Sequence, residues 1–420
     1  MRKLLLLVSL LFLLTGCSAQ NAGEMEESDS TLPPVSVTQD APKPEEPEEP
    51  EPIVATLTVA GDVMNHNTQI SDAYDAATDS YDYSHVFQYV KPWLEQADYA
   101  VANLETTLPG GGDYTGYPNF GAPDALAYDL KEAGFDLLST ANNHTRDKGM
   151  DGVYRTLDAL DEVGLAHVGT YRSQEERDNS GIVVADVGGI KVAFLAYTYG
   201  LNGYSIPEDQ SYAVNLFNLD YTTTLSQPDE ALLAADLEKA RGLDADLIAV
   251  MIHWGIEYRN SPSDYQKSLA EFLVANGADL ILGGHPHVIE PYETITTTGW
   301  DGQSREGFVC YSLGNFISAQ NKEFTDVTAL LQLELTKDET GTHITDVGYV
   351  PFYMLHRWGQ EKTDFLLDAH RGIAEYGQDP LVTDLVRQAL EKAVAHCQEI
   401  FGAEGDLGQA AQAGVPQAAA

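Results

Sequence analysis

The stretch "LILGGHPHVIEP", residues 280–291, ends an apolar run on two glycines and then presents His285 and His287 with a proline between them. Two imidazoles one residue apart either close a tight turn or face something they bind. Four other apolar runs end in the same manner. "TLTVAGD" delivers Asp62, "YAVANLE" delivers Asn103 and Glu105, "LLSTANNH" delivers Asn142, Asn143 and His144, and "LIAVMIH" delivers His253. Imidazole, carboxylate and amide oxygen without thiolate suit zinc, manganese or iron. A carboxylate has two oxygens and can bridge two ions. Ions ~3.5–4 Å apart clamp a phosphoryl group and activate water. Each residue also has a plainer reading. Asp62 after a glycine fits a turn or helix cap, "ANNH" an Asn-rich turn, Glu105 a surface charge, and His253 a structural histidine. Recurrence at five strand ends is the argument for a shared site.

The elements that must position these residues alternate. Short apolar runs read as buried strands: "IVATLTVAG", "ADYAVANLE", "FDLLSTANN", "VAFLAYTYG", "ADLIAVMIHWG" and "ADLILGGHPH". Amphipathic stretches between them read as helices, at Pro123–Ala133, Gly149–Val163, Asp229–Arg241, Asp264–Asn276 and Pro380–Gln398. The alternation predicts an α/β layered core, with sites in the crevice beyond the carboxyl ends of the strands. After about residue 290 the texture changes to successive antiparallel strands with turns between them.

The termini differ from this core. "MRKLLLLVSLLFLLTGC" has a basic start, an apolar run at Leu4–Leu14 too short for a comfortable span, and "LTGC", which resembles a lipobox. The expectation is a signal peptide at 1–17 and lipidation of Cys17; the plainer alternative is an ordinary secretory signal. Residues 18–53 are acidic and proline-rich and read as an extended tether. A folded domain is expected over 54–402 and a disordered tail over 403–420. The formal net charge of −42 argues against nucleic acid as a partner. Cys310 and Cys397, the two cysteines after Cys17, do not make a disulfide scaffold and read as separate buried thiols.

In order along the chain, "GDVM", "NLE", "ANNHTRDKG", "HWGIEY", "GGHPHVIEP" and "YSLGNF" resemble the bacterial capsule-synthesis family of CapA type. That family is linked to poly-γ-glutamate synthesis and looks like a branch of the calcineurin-like metallophosphoesterases. The resemblance spans roughly residues 54–320. It implies a β-sandwich flanked by helices in α-β-β-α layers, and one or two divalent ions (Mn, Fe or Zn). Asp62, Glu105, Asn143, His253, His285 and His287 are the implied metal ligands, Glu105 bridging and the last two histidines serving one ion each. His144 is the implied proton donor. The family pattern places a histidine where Met64 stands, which makes His66 a substitute candidate, and an acid directly after the Asn-His pair, where the nearest here is Asp147. These departures favour one firmly held ion and one weak one.

Four further residues are candidates for the substrate pocket. Trp254 and Tyr258 flank His253 as a wall, or as packing over the sheet edge. Asn315 orients a ligand, lines the pocket or makes a turn. Arg146 pairs with an anionic substrate or with Asp147. The functional expectation is a lipid-anchored metallohydrolase-like protein on the extracytoplasmic face of the cell membrane, hydrolysing a phosphoester or an amide or ester. Its expected partners are an anionic polymer or precursor and a membrane synthase complex. The alternative is a non-catalytic polymer-binding or export factor.

Overall fold

In the strand Ile53–Val63, Leu57 and Val59 point to one side while Thr58 and Ala60 point to the other, and all four are buried. A strand apolar on both faces needs cover on both, and the computed structural model supplies it. The structure describes residues 51–409 apart from 358, 360 and 361. The signal and lipidation expectation at 1–17, with Cys17, lies outside the described residues, as do the tether up to residue 50 and the tail from 410.

Two large sheets form among the described residues. The first runs in the order Asp364–Asp368, Gly341–His356, Val327–Asp338, Ile53–Val63, Tyr99–Leu104, Leu137–Ser139 and Ala166–Val168. From Ile53–Val63 onward its strands are parallel, and on the other side they are antiparallel. The second runs Ile289–Thr298, Ser304–Leu313, Leu280–Gly284, Leu247–His253, Ile190–Thr198 and Val183–Val187. Its four central strands are parallel and each edge strand is antiparallel.

The sheets pack face to face. Leu57, Val59 and Val101 of the first meet Phe194, Ala249, Met251 and Leu282 of the second in one core. The outer face of the first sheet is covered by the helices Ala125–Ala133 and Gly149–Val163, through Leu126, Leu130 and Leu160. The helices Glu230–Arg241 and Asp264–Ala275 cover the second, through Leu233, Leu237, Leu269 and Leu273. The layers are therefore α-β-β-α, as the motifs imply. Asp384–Phe401 adds Leu390, Ala393, Cys397 and Phe401 to the inter-sheet core. That helix begins four residues later than its periodicity predicts, because Thr383 caps it by accepting from Val386 N.

The chain passes from one sheet to the other at Gly314. Ser304–Leu313 belongs to the second sheet, and Asn315–Ile317 pairs with the end of Ile53–Val63 in the first. Gly314 has φ +70°, and its carbonyl accepts from Asp62 N at 2.9 Å. A Cβ on Gly61 would lie 2.0 Å from that oxygen, so only glycine lets the two strands meet there. Residues 403–409 depart from the expected tail. Asp406 is 3% exposed and accepts from His370 Nε2 and Gln398 Nε2, each at 2.9 Å. The Ala-, Gly- and Gln-rich composition suggests a free end, but a buried carboxylate with two donors holds this segment down. Cys310 and Cys397 are both buried and unpaired.

Candidate metal centre

Each parallel strand of the inner half of the sheets ends at the same edge, and the polar residues just past those ends converge there. Asp62 is fully buried. Its Oδ1 accepts from Asn103 Nδ2 at 2.8 Å, and its Oδ2 accepts from His285 N at 3.0 Å. His287 Nδ1 stands 3.6 Å from Oδ2 and His253 Nδ1 3.9 Å from Oδ1. Burial pushes this carboxyl up, but the close approach of His287, the charges of His253 and His287 and the His285 amide together hold it below its ordinary value.

Glu105 is also fully buried, and neither of its oxygens has a hydrogen-bond partner among the described residues. Oε1 lies 3.5 Å from His253 Nε2, 3.9 Å from His287 Nε2 and 4.0 Å from His144 Nε2. Three imidazole nitrogens thus ring one carboxylate oxygen without bonding it. A buried charge is costly unless it is paired, so this pocket fits a cation. Among the described residues two donor sets exist, Glu105–His285–His287 and Asp62–Glu105–His253, with the ligand atoms of each within 4.8 Å of one another. Glu105 belongs to both, as a bridging carboxylate would. The family pattern gives His285 and His287 one ion each, whereas here both stand with Glu105 in one set.

The histidine turn is unusual in its backbone. His285 has φ +97° and His287 φ +61°. The His285 ring sits 4.6 Å from Tyr199 and 4.8 Å from His253, centroid to centroid, and its Nδ1 is buried without a partner. Burial, with His253 and His287 nearby, pushes His285 well below the usual imidazole value, so it is neutral, the form a metal ligand needs. His287 is different. Burial opposes its charge, but Glu105 and Asp62 lift it to about 9. A metal cation would take the place of that proton.

Asn143 and His144 point differently. Asn143 Oδ1 lies 3.1 Å from His253 Nε2, facing the centre, while its Nδ2 donates to Asn202 Oδ1 at 3.2 Å. His144 donates from Nδ1 to Asp147 Oδ2 at 2.7 Å, and its ring meets the edge of Phe120 at 4.7 Å. Burial alone would lower its pKa, but the Asp147 bond and the Glu105 and Asp147 charges raise it. Asp147, three residues on, therefore gives His144 the carboxylate that the family pattern places directly after it.

The remaining candidates separate. Asn315 lies beside the centre: its Oδ1 is 3.0 Å from His287 Nδ1, and its Nδ2 donates to Thr325 O and Gln320 Oε1. Tyr258 is 39% exposed, with its ring 6.0 Å from that of His287. His66 stands outside both donor sets. It caps the helix Asn67–Ala73, and its Nδ1 accepts from Ala319 N at 3.1 Å. Trp254 is not a pocket wall. It is fully buried on the outer face, stacked on Tyr311 and donating to its carbonyl at 2.9 Å. Arg146 does not pair with Asp147, which is occupied by His144 and Phe120 N; it donates to Ser205 O and lies over the Tyr204 ring.

Two residues beside the centre, Tyr199 and Asn202, were not among the sequence candidates for it. Asn103 carried a signal, since it lies two residues before Glu105 at the same strand end, and it donates to Asp62. Tyr199 and Asn202 carried none, because nothing in "TYGLNG" marks a binding loop.

Carboxylates, an amide and imidazoles gathered at the carboxyl edge of two packed sheets define a layered α/β protein with a candidate divalent-metal centre. The family follows from comparison: the chain belongs to the bacterial capsule synthesis protein family PGA_cap, whose model matches residues 56–320. It is 34% identical over 304 residues to the capsule biosynthesis protein CapA of Bacillus anthracis, covering 70% of this chain and 66% of that protein. It is 29% identical over 297 residues to the PGA biosynthesis protein CapA of Bacillus subtilis (strain 168), covering 69% and 70%. The chain thus spans about two thirds of the length of these curated relatives. Among solved structures it is similar to the calcineurin-like phosphoesterase YfkN from Bacillus subtilis, at TM-score 0.40 and 12% identity, covering 83% of this chain and all of that one.

Proposed function

We propose that this chain is a metal-dependent hydrolase-like protein of capsule or poly-γ-glutamate synthesis, lipid-anchored through Cys17 on the extracytoplasmic face of the membrane. It acts there on a phosphoester, or on an amide or ester, of an anionic polymer or its precursor, beside a membrane synthase. The observation that carries the metal reading is Glu105, a buried carboxylate with no hydrogen-bond donor among imidazoles. Asp62, Glu105, Asn143, His253, His285 and His287 hold one or two ions, of manganese, iron or zinc by the donor set. Divalent metal bound here supplies Lewis acidity and acidifies water. His144 keeps a proton at Nε2 for the leaving group, with Asp147 fixing its other nitrogen. Asn315 fixes the ring of His287.

One observation favours a second reading, a polymer-holding or export factor without turnover. Position 64 is a buried methionine and His66 is engaged by Ala319, so the ligand set is smaller than the family pattern. Metal analysis of chain purified without chelator, with a model phosphodiester assay, separates the two. Bound metal with turnover supports the enzyme; an ion-free or inert protein supports the second reading. In the enzyme, His144→Ala keeps its metal and loses roughly 10²–10⁴-fold in turnover, while His285→Ala loses metal and activity together. If His144→Ala empties the site as fully as His285→Ala does, His144 is a ligand.

A further inference from the structure

His66 follows the strand end that carries Asp62, yet it stands outside both donor sets, and the protein uses only one of its ring nitrogens. Ala319 N donates to Nδ1 at 3.1 Å, and a backbone amide can only donate, so Nδ1 carries no proton. Gln69 Oε1 lies 3.3 Å from the same nitrogen, but it takes its hydrogen from His66 N at 2.9 Å. Burial lowers this imidazole to about 4 against the pull of Gln69, so the ring is neutral at neutral pH. Its single proton is therefore on Nε2. Nε2 has no acceptor among the described residues. The ring is half-buried and Nε2 is not sealed off with the buried unpaired atoms, so it reaches solvent. An N–H fixed on its ring and open to solvent is a donor free for a ligand.

Two segments of chain hold this ring beside the metal centre. On one side, Gly116 packs so closely that a Cβ on it would meet His66 Cα at 2.8 Å, and Gly116 N donates to Asn67 Oδ1 at 2.7 Å. Further along the same loop, the Phe120 ring meets His66 at 5.1 Å and His144 at 4.7 Å, edge to face in each case. Phe120 N donates to Asp147 Oδ2, the oxygen that also holds His144. On the other side, Ala319 follows closely after Asn315, whose Oδ1 lies 3.0 Å from His287 Nδ1. The charges that act on His66 are those of His287, His356 and His144, and two of these three belong to the centre. His66 therefore shares one frame with the proton donor His144 and with the ligand His287.

We propose that His66 binds no metal and instead donates its Nε2–H to an oxygen of the substrate held at the metal centre. That oxygen belongs to a tetrahedral oxyanion, on phosphorus or on an attacked acyl carbon. A neutral imidazole suits the task, because a preorganised N–H stabilises charge developing on oxygen without repelling the cations beside it. His144 remains the group that gives up a proton, and His66 keeps its own. The proposal rests on the metal-dependent reading of this site.

Two substitutions test it, because asparagine and glutamine imitate different halves of histidine. His66→Asn keeps an acceptor near the place of Nδ1, and asparagine is a favoured helix cap, so the Ala319 bond and the helix Asn67–Ala73 survive while the Nε2 donor is lost. His66→Gln carries its amide farther out and returns an N–H near the place of Nε2. Elemental analysis after loading with manganese reads the metal. Isothermal titration with inorganic phosphate, a tetrahedral oxyanion that needs no turnover, reads the donor. His66→Asn should keep its metal content and melting temperature and bind phosphate roughly tenfold more weakly, the scale of one hydrogen bond to a charged group. His66→Gln should recover part of that loss. Loss of metal in His66→Asn makes His66 a ligand and overturns the proposal. Phosphate binding of wild-type strength in His66→Asn, no recovery in His66→Gln, or a metal-loaded wild type that binds no phosphate overturns it as well. Those last three results leave the metal reading standing, whereas a wild-type chain that takes up no metal removes both.

Discussion

Gly284→Ala should strip metal from the centre while leaving the fold intact. Gly284 ends the strand Leu280–Gly284 and has an ordinary φ, so alanine meets no backbone strain there. A Cβ on it would lie 2.5 Å from Asp62 Oδ1, whereas real Cβ contacts stay beyond 3.0 Å, so the carboxylate must retreat by at least 0.5 Å. Asp62 has no slack, because Asn103 and the His285 amide hold its two oxygens at 2.8 and 3.0 Å. Metal–ligand distances tolerate only about 0.2 Å, and disturbing the support of a ligand commonly costs roughly 10–100-fold in affinity. The overpacking itself should cost about 1–3 kcal/mol, which a domain with this core survives. Gly283→Ala is the contrast: its Cβ would meet the Tyr311 backbone oxygen at 2.0 Å, so the sheet must yield. Equilibrium dialysis with manganese and zinc, read by elemental analysis beside far-ultraviolet circular dichroism, compares the two. Wild-type affinity in Gly284→Ala would refute the placing of Asp62 among the ligands. Unfolding of Gly284→Ala like that of Gly283→Ala would refute the local account of its effect.

Glu290→Gln should raise stability increasingly as pH rises. Burial lifts this carboxyl to about 7 against the bond from Gln266, so the folded state holds a proton that the unfolded state has lost from about pH 4.5 upward. Stability therefore falls between those values in the wild type and less in the variant, and melting temperatures at pH 5 and 8 should diverge; equal gaps at both would count against it. Trp254→Phe should lose about 1 kcal/mol by removing the bond to Tyr311 O with metal content unchanged, and metal loss on elemental analysis would return Trp254 to the site. Cys17→Ser should move the protein from the membrane fraction to the soluble one, and a variant that stays with the membrane removes the lipid anchor.

Most of the layered architecture could be read from the residues because both sheets are built of short apolar runs alternating with amphipathic helices. The helix Gly149–Val163 falls where the periodicity puts it, with Gly164 closing it in the left-handed region. The site was legible for a related reason: chemistry-bearing residues at the ends of parallel strands collect at one edge. Trp254 shows a signal that went unused. Strand side chains alternate, so if Met251 and His253 face inward, Ile252 and Trp254 must face outward, as their separate cores confirm. His66 could not be read the same way. Whether its nitrogen faces a metal or a backbone amide depends on Ala319, 253 residues away. The order in 403–409 was equally hidden, since Asp406 is held by His370 and Gln398 and not by any pattern within the segment.

The turn between His285 and His287 ties backbone strain to chemistry. Left-handed backbone costs a side-chain-bearing residue roughly 1–2 kcal/mol, and this turn places two such residues around Pro286. Glycine would relieve both positions, so simple chain reversal does not account for histidine at either. The strain is held in place by bonds on each side: the His285 amide donates to Asp62 Oδ2, and Tyr258 N donates to Pro286 O at 2.7 Å. Held in this way, the turn sends His285 toward His253 and Tyr199 and His287 toward Asn315, with both imidazoles in one donor set with Glu105. Strain of this kind persists where surrounding structure over-determines it, which is characteristic of binding sites. One imidazole is kept neutral by burial and the other is drawn toward positive charge by two carboxylates. That asymmetry is what a cation shared by these groups would remove, and it is why the pair reads as a ligand turn and not as a loop closure.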